Sequence, residues 1–178
     1  EAFDLSEFSV PPGFRGRNKV VVQLWWLVEC TLFRLSPQIF YKWRVRLLRI
    51  FGAEIGEGVL IRPTVKVTYP WKVRIGKNSW VGDNVTLYSL GEINIGSNTI
   101  VSQGCYLCTG SHDYQSKKFE IYSKPISIGD STWLASDVFV APGVNIGSRV
   151  VVGARSSIFK DLADQVVCRN ATSLAVKP

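Results

Sequence analysis

Hydrophobic residues in most of the chain recur at every sixth position, a spacing that neither an α-helix nor an alternating β-strand produces. The pattern runs from Ile55 to Ile158, with two shifts of two residues and a gap after Leu107. The anchors are all Ile, Val or Leu: Ile55, Ile61, Val67, Val73, Ile75, Val81, Leu87, Ile93, Ile95, Val101, Leu107, Ile128, Leu134, Val140, Ile146, Val152 and Ile158. A period of six is the hexapeptide signature of a parallel β-helix.

Each hexad predicts one short strand and one turn, so that three hexads close one triangular coil. The anchors point inward, and stacked coils pair their strands around one continuous core. We therefore predict an all-β solenoid over 54–165, a parallel β-helix of about five coils. A β-sandwich would instead need period-two alternation and a turn every 8–12 residues or so.

The first 53 residues follow a different pattern, rich in Trp, Leu, Arg and Phe. Residues 19–33 (KVVVQLWWLVECTLF) and 36–51 (SPQIFYKWRVRLLRIF) predict two helices, the second with Ser36 as N-cap and Pro37 in its first turn. The first apolar run is too short for a comfortable membrane span, which takes about 20 residues.

This N-terminal helical segment, 1–53, has two interpretations that use the same residues. It is a helix pair lying on an anionic membrane face, or it is a cap over the end of the solenoid or an oligomer contact. The membrane interpretation relies on rings and cations within 19–51: Trp25, Trp26, Phe40, Trp43, Phe51, Lys42, Arg44, Arg46 and Arg49.

The formal net charge of +7 permits acidic ligands without selecting one. The four cysteines make no disulfide framework in a domain of this size, so we expect them to be reduced and the protein to be cytoplasmic. Cys105 and Cys108 form a CxxC motif, but Cys105 falls on an inward position of its hexad and Cys108 should face another way. We therefore expect no metal site here.

The repeat breaks after Leu107 and resumes at 126–128. Between them lies a polar excursion, the loop 111–125 (SHDYQSKKFEIYSKP), and loops that leave a rigid scaffold commonly carry function. His112 stands at the root of this loop and is the only histidine in the chain. Imidazole has a pKa near neutrality and suits a group that accepts and returns a proton.

The repeats, with the stretches FGAEIGEG, TYPWKVRIG, LCTGSHDY and WLASDVFVAPGVNIG, resemble the hexapeptide-repeat O-acetyltransferases of exopolysaccharide biosynthesis, the colanic-acid type. These are related to galactoside and maltose acetyltransferases. The resemblance covers roughly 50–165 and implies a left-handed coil. The γ-type carbonic anhydrases share the β-helix, but they need three histidines for each zinc and this chain has one.

The resemblance implies specific roles at the site. His112 is the general base that activates a sugar hydroxyl, and the backbone N–H of Ser136 stabilises the oxyanion. In galactoside-type enzymes an Asn contacts the acceptor at the position of Gly82. The implied acceptor-binding residues here are Asp83, Asn84 and Asp113, and the implied acetyl-CoA-binding residues are Trp133, Ala135, Ser136, Ala154, Arg155 and Lys160.

The resemblance also implies the partners. We expect acetyl-CoA as acyl donor, a sugar or lipid-linked oligosaccharide as acceptor, a homotrimer with sites between subunits, and no nucleic acid. The helical segment would attach the enzyme peripherally to the inner face of the membrane, and 166–178 would form a C-terminal tail. The alternatives are an acetyltransferase for a small soluble sugar and a non-catalytic membrane-associated scaffold.

Overall fold

Short parallel strands stack into three sheets along one solenoid axis in this computed structural model, which describes residues 4–169 in full and the backbone of 172–175. Sheet A consists of β1 (Glu54–Ile55), β4 (Val73–Ile75), β7 (Ile93–Ile95), β12 (Ile126–Ile128) and β15 (Asn145–Ile146). Sheet C consists of β3 (Lys66–Val67), β6 (Thr86–Tyr88), β9 (Tyr106–Cys108), β14 (Phe139–Val140) and β17 (Ser157–Ile158).

Sheet B is longer because the chain after the last coil joins it. It consists of β2 (Leu60–Ile61), β5 (Trp80–Val81), β8 (Ile100–Val101), β13 (Trp133–Leu134), β16 (Val151–Val152), β18 (Val166–Arg169) and β19 (Thr172–Ala175). Strand β18 pairs with β16 in parallel and with β19 in antiparallel fashion, so part of the predicted tail extends the solenoid. The rest of that tail, 170–171 and 176–178, lies outside the described residues.

The predicted solenoid is confirmed, and every predicted anchor is buried. Sheets A, B and C each contribute one strand to five complete coils, and β18 begins a sixth. The coils stack closely enough to require glycine at one corner. A Cβ added to Gly76 would lie 2.5 Å from the backbone nitrogen of Ser97 in the next coil.

The N-terminal segment contains two α-helices, α1 (Lys19–Val28) and α2 (Tyr41–Ile50), with a π-helical turn, Glu29–Phe33, directly after α1. Short 3₁₀ helices lie at Leu5–Glu7 and Pro70–Lys72. The prediction that the second helix begins after Ser36 is wrong, because α2 begins at Tyr41. The Ser36 hydroxyl instead donates to the carbonyl of Phe33 (2.6 Å). No helix within the described residues is long and apolar enough to cross a bilayer.

The helical segment caps the first coil, whose strands have carbonyl groups that no preceding coil can pair with. One side chain reaches each sheet: Arg49 Nε donates to Ile55 O (3.0 Å) in sheet A, Arg44 Nε to Ile61 O (2.6 Å) in sheet B, and Trp25 Nε1 to Val67 O (2.7 Å) in sheet C. These bonds protect the sheet edges from pairing with another chain.

Arg44 is fully buried, which corrects one part of the membrane interpretation. Its guanidinium also donates to Ser36 Oγ, Pro37 O and Gln38 O. The expectation that all four cations from Lys42 to Arg49 face lipid is therefore wrong for Arg44, whose charge is held inside the cap. The expectation that the Trp25 ring faces lipid is also wrong, because Trp25 is fully buried against the solenoid.

The outward side chains differ among the three sheets, although the inward ones are alike. Those of sheet A are polar: Glu54, Arg74, Asn94, Ser127 and Asn145. Those of sheet B are apolar: Leu60, Trp80, Ile100, Trp133, Val151 and Val167. Sheet C presents a ladder of neighbouring rings: Tyr88, Tyr106, Phe139 and Phe159.

Candidate active site

The chain leaves the solenoid between β9 of sheet C and β12 of sheet A and forms an antiparallel hairpin, β10 (Gly110–His112) and β11 (Ile121–Ser123). His112 ends β10, opposite Ile121. The hairpin is held to the coil because the Lys124 N–H donates to Thr109 O (2.8 Å). The imidazole is therefore carried on hydrogen-bonded backbone and not on a free loop tip.

Phe119 fixes the orientation and the tautomer of the His112 ring. The Nδ1 atom lies 2.9 Å from Phe119 O, and the Phe119 ring stacks on the imidazole with centroids 4.3 Å apart. A carbonyl oxygen only accepts hydrogen bonds, so Nδ1 carries the proton and Nε2 is left as the basic nitrogen. Phe119 has a φ of 47°, uncommon for a bulky residue, in the conformation that makes both contacts.

The N-terminal strap, residues 4–8, packs against the same loop. The Asp4 N–H donates to Lys117 O (2.8 Å), and Glu7 pairs with the Lys117 ammonium (3.4 Å). The Phe8 ring lies 5.6 Å from the imidazole, centroid to centroid. Sequence reasoning missed the strap and Phe119, because both lie outside the hexad repeats and no spacing marks them.

An open cavity of about 430 Å³ lies between this strap and the hairpin. Its lining residues are Glu7, Ser9, Pro11, Asp113, Lys118, Glu120, Ile121 and Tyr122. The mixture of charged, hydroxyl and ring groups suits a ligand rich in hydroxyls. Asp113 contributes from a fixed position, since its carboxylate accepts the Gln115 N–H (3.0 Å) and its own N–H donates to Glu120 O (2.9 Å).

Most of the other predicted site residues stack at a different place, the corner between sheets B and C, which we call the B/C corner. Successive coils are joined there by backbone hydrogen bonds, among them Arg155 N–H to Ser136 O (2.8 Å) and Gly104 N–H to Asp83 O (2.9 Å). The predicted residues at this corner are Asp83, Asn84, Ala135, Ser136, Ala154 and Arg155.

Ser136 presents a free backbone donor at this corner. Among the described residues no acceptor contacts its N–H, while its hydroxyl accepts a hydrogen bond from Gln103 Nε2 (2.8 Å). The next residue, Asp137, has a φ of 60°. Pro63 occupies the equivalent position of the first coil, which shows that the stack tolerates a residue without an N–H there.

Asp83 is an engaged carboxylate. It accepts from Arg62 Nε (2.7 Å) and from Thr64 Oγ1 (2.8 Å). Burial opposes ionisation, but these two hydrogen bonds and the Arg62 charge hold the pKa of Asp83 below its usual value. A Cβ at Gly82 would lie 2.7 Å from the Gln103 nitrogen, so an acceptor-binding side chain at this corner has to come from a neighbouring position.

Trp133 borders the B/C corner, whereas Lys160 lies away from it. Trp133 projects from sheet B, about half exposed, and its Nε1 donates to Ser102 Oγ (2.9 Å). Lys160 is exposed after β17, at the corner between sheets C and A. The His112 loop emerges from the same corner two coils earlier in the chain.

One chain does not bring the predicted base and the predicted oxyanion donor together. A strand of sheet C separates the B/C corner from the His112 loop, and the five residue steps from Gln103 to Cys108 correspond to about 16 Å. The candidate residues of one chain therefore form two groups on opposite edges of sheet C, which we call the half-sites.

The CxxC motif lies beside the loop with its thiols protonated. Cys105 is buried, as predicted, its Sγ donates to Ala135 O (3.0 Å), and burial raises its pKa to about 11. Burial also raises the pKa of Cys108, which is half-buried. Within residues 4–169, no three His, Cys, Asp or Glu side chains are grouped to hold a metal ion.

Comparison with known proteins identifies the family. No protein-family model matches the chain. It is 59% identical over 174 residues to a protein of Escherichia coli (strain K12) named "Putative colanic acid biosynthesis acetyltransferase WcaF", covering 98% of this chain and 96% of that protein. It is 33% identical over 127 residues to the galactoside O-acetyltransferase of the same organism, covering 70% of this chain and 63% of that one.

Solved structures share the fold. The hexapeptide-repeat acetyltransferase VCA0836 of Vibrio cholerae O1 biovar eltor, complexed with acetyl coenzyme A, superposes with a TM-score of 0.78 at 21% identity, covering 89% of this chain and 87% of that one. The extent of identity to WcaF, the stacked hexads and this shared architecture lead to one conclusion. The chain belongs to the hexapeptide-repeat acetyltransferases that include WcaF, and it is an acyltransferase.

Proposed function

We propose that this enzyme transfers an acetyl group from acetyl-CoA to a sugar hydroxyl of an exopolysaccharide precursor, with His112 as general base. The observation that carries the proposal is the 2.9 Å contact between His112 Nδ1 and Phe119 O, because it leaves Nε2 as the nitrogen that takes a proton. WcaF, the relative matched over nearly its whole length, is named for colanic acid biosynthesis, which supports a polysaccharide sugar as acceptor.

In the proposed reaction His112 Nε2 removes the proton of the acceptor hydroxyl as its oxygen attacks the thioester carbonyl. The resulting tetrahedral intermediate expels the CoA thiolate, and the imidazolium gives the proton of the acceptor hydroxyl to that thiolate. The Phe119 carbonyl stabilises the transient cation, because it accepts the Nδ1–H throughout. The products are an acetyl ester and free CoA.

The Ser136 N–H is the proposed donor to the oxyanion that develops on the thioester carbonyl. A backbone N–H is well suited because the coil holds it in place and no protein acceptor competes for it within the described chain. Ala135, Ala154 and Arg155 would line the groove for the pantetheine arm, with Trp133 at its wall and Lys160 near the CoA phosphates.

Because the two half-sites lie about 16 Å apart in one chain, we propose that a complete site forms between protomers of a homotrimer. The outward faces support this: sheet B is apolar and sheet C carries a ring ladder. The outward row of sheet C also contains Lys66, Thr86 and Ser157, so the two faces differ. Two different faces on one chain fit a head-to-tail contact that closes into a ring. The loop of one protomer would then meet the B/C corner of the next.

Asp83, Asn84 and Asp113 are the proposed acceptor contacts, and the cavity beside Asp113 is the proposed entry for the sugar. Asp83 would act with its Arg62 partner, as an ion pair that offers both donors and acceptors to hydroxyl groups. Direct assay with labelled acetyl-CoA distinguishes a lipid-linked oligosaccharide from a small soluble sugar as the acceptor.

The test uses two variants that disable different half-sites. His112→Ala should lower kcat by roughly 10²–10⁴ while leaving the trimer and its thermal unfolding unchanged. Ser136→Pro removes the N–H together with the hydroxyl that accepts from Gln103 Nε2. Proline suits a turn position that precedes a residue with positive φ. This variant should lower kcat by about 10²–10³. Gln103→Pro, at the equivalent position one coil earlier, is the matched control and should retain activity.

Mixing the two inactive chains separates a shared site from a site within one chain. After denaturation and joint refolding, each mixed trimer contains one interface with both an intact His112 and an intact Ser136. Activity should return to about a quarter of the wild-type value at a 1:1 ratio, as random assembly into rings predicts. Full activity of His112→Ala would refute the base, and mixtures as inactive as their components would refute the shared site.

A further inference from the structure

The outer side of the helical cap exposes large hydrophobic side chains that no other part of the described chain covers. Leu35 and Ile39 are 77% and 78% exposed, in the turn that leads into α2. We call this surface the cap face, and it comprises Val20, Leu24, Trp26, Leu27, Leu32, Leu35, Ile39, Phe40 and Trp43. A contiguous exposed apolar surface of this kind marks a site of interaction with a protein or a membrane.

The cap face is continuous. Val20, Leu24 and Leu27 follow one stripe of α1 and line a shallow groove together with Lys19. One turn later Thr31, whose hydroxyl donates to Leu27 O (2.6 Å), begins a second open groove of about 550 Å³. That groove is lined by Thr31, Leu32, Leu35, Ser36, Pro37, Phe40 and Trp43.

The charges around the cap face have one sign. The exposed cations of the segment are Arg17, Lys19, Arg34, Lys42 and Arg46, besides the capping Arg49. Between residues 8 and 53 the one carboxylate is Glu29, and it is turned inward, where it accepts the Val67 N–H (2.5 Å). Arg46 lies one turn from Trp43 on α2, so rings and cations share a surface.

These features point to an anionic occupant that also accepts apolar side chains. A second copy of the cap face fits poorly, because a two-fold contact would set these cations against their own copies. The opposite side of the cap is already anchored to the solenoid by Trp25 and Arg44, so the cap face can be used without rearranging the protein.

We propose that the cap face binds the surface of an anionic lipid bilayer, with Leu35, Ile39 and Trp43 in the boundary between headgroups and acyl chains and the cations on lipid phosphate. Binding of this kind is peripheral and combines buried apolar area with charge attraction. In a ring built through sheets B and C, three cap faces lie at one end of the assembly and bind the same membrane. The gain in affinity from this multivalent binding rests on the trimer proposed above.

The experiment is flotation of the full-length protein with vesicles of phosphatidylglycerol and phosphatidylcholine at low salt, beside vesicles of phosphatidylcholine alone. Wild type should float with the anionic vesicles and much less with the neutral ones. Lys42→Gln with Arg46→Gln should weaken binding by about fivefold for each cation removed. Added salt should also weaken the binding of wild type. Leu35→Glu with Ile39→Glu should abolish flotation.

The matched control removes two exposed cations from the solenoid, Lys77→Gln with Arg149→Asn, where Asn suits the positive φ at 149. It should bind like wild type, which would show that binding depends on the cap face and not on the net charge of the protein. All variants should keep wild-type thermal unfolding and turnover of a soluble acceptor. The proposal is overturned if wild type fails to float at low salt, if neutral vesicles bind it equally, or if the control weakens binding as much as the cap-face variant.

Discussion

Sheets A and B are built from the same hexads, yet they face different surroundings. Their inward positions are interchangeable: Ile75 and Ile95 fill sheet A as Val81 and Val101 fill sheet B, all of them buried. Their outward positions are not interchangeable. Arg74, paired with Glu54 and Glu92, faces outward on sheet A. On sheet B the outward row is Leu60, Trp80, Ile100, Trp133, Val151 and Val167.

The repeat therefore determines the fold, and the residues between the anchors determine how the fold is used. An isolated solenoid could leave all three outer faces polar. A row of apolar side chains on one face, next to a polar row on another, therefore marks sheet B as the face that the proposed trimer would cover.

The largest expected effect comes from placing a charge in the apolar row. Ile100 lies in register between Trp80 and Trp133, so Ile100→Glu would bury a carboxylate at the centre of the proposed contact. Burying an unpaired charge costs several kcal/mol, and each 1.4 kcal/mol or so is tenfold in association. Light scattering should show dissociated chains, and activity should fall by at least about a hundredfold, because each site would lose its second half.

The matched change on sheet A is Asn94→Glu, in register between Arg74 and Ser127. A carboxylate is soluble there and lies beside a cation, so the assembly and activity should stay within about twofold of wild type. If Ile100→Glu remains an active trimer, sheet B does not form the contact. If Asn94→Glu dissociates the assembly, the two faces do not differ as proposed.

Inward and outward positions were not equally predictable from sequence. The anchors follow strict hexads and a buried Ile, Val or Leu tolerates few substitutes, so Ile128 or Leu134 reveals its place from spacing alone. The apolar row of sheet B is equally regular, but a Trp at position 80 or 133 in a sequence carries no sign of whether water or another subunit covers it. Only the register of the folded strands shows that these residues form one row.

Sheets A and B also differ at their first-coil edges, which the helical segment caps. Arg44 and Arg49 perform the same task, donating to Ile61 O at the edge of sheet B and to Ile55 O at the edge of sheet A. Arg44 is fully buried, whereas Arg49 is exposed. Arg44→Met keeps most of the volume but leaves buried carbonyl groups without a donor, and should cost about 3 kcal/mol of unfolding free energy.

Arg49→Met should cost about 1 kcal/mol or less, because water replaces the lost donor. Urea unfolding at one fixed protein concentration measures both values, since stability of an oligomer depends on concentration. Equal losses in the two variants would mean that burial does not distinguish the two edges.

The candidate site shows why the remaining features escaped sequence reasoning. His112 was predictable because a lone histidine stands where the repeat breaks. Phe119 and Phe8, which contact its ring, lie in segments without periodicity, and their proximity depends on how a hairpin and an N-terminal strap fold onto each other. The buried role of Arg44 was missed although its spacing places it on the same helix face as Leu47 and Leu48. The residue type misled, because an arginine in a sequence carries no sign of the carbonyl groups that its guanidinium meets in the fold.

The smallest expected effect concerns the ion pairs at the edges of the two sheets. The Arg62–Asp83 pair at the B/C corner is about one-third exposed, so solvent screening limits its contribution to about 1 kcal/mol or less. The folded-state pKa of Asp83 is lowered, so its contribution is present above the pKa of the unfolded chain, about 3.9, and disappears as pH falls through the folded value. Asp83→Asn should therefore lower stability at pH 7, and the gap to wild type should close as pH falls below about 4.

Glu54→Gln on sheet A is the control for this pH dependence. Its partner Arg74 keeps a second ion pair with Glu92 (2.9 Å), and Glu54 is far more exposed than Asp83. The control should change stability by only a few tenths of a kcal/mol at any pH. Urea midpoints measured from pH 7 downward check both variants. A contribution from the ionised Asp83 carboxylate must disappear when that carboxylate is protonated. If the difference in stability between wild type and Asp83→Asn stays constant with pH, the contribution of Asp83 does not come from its charge.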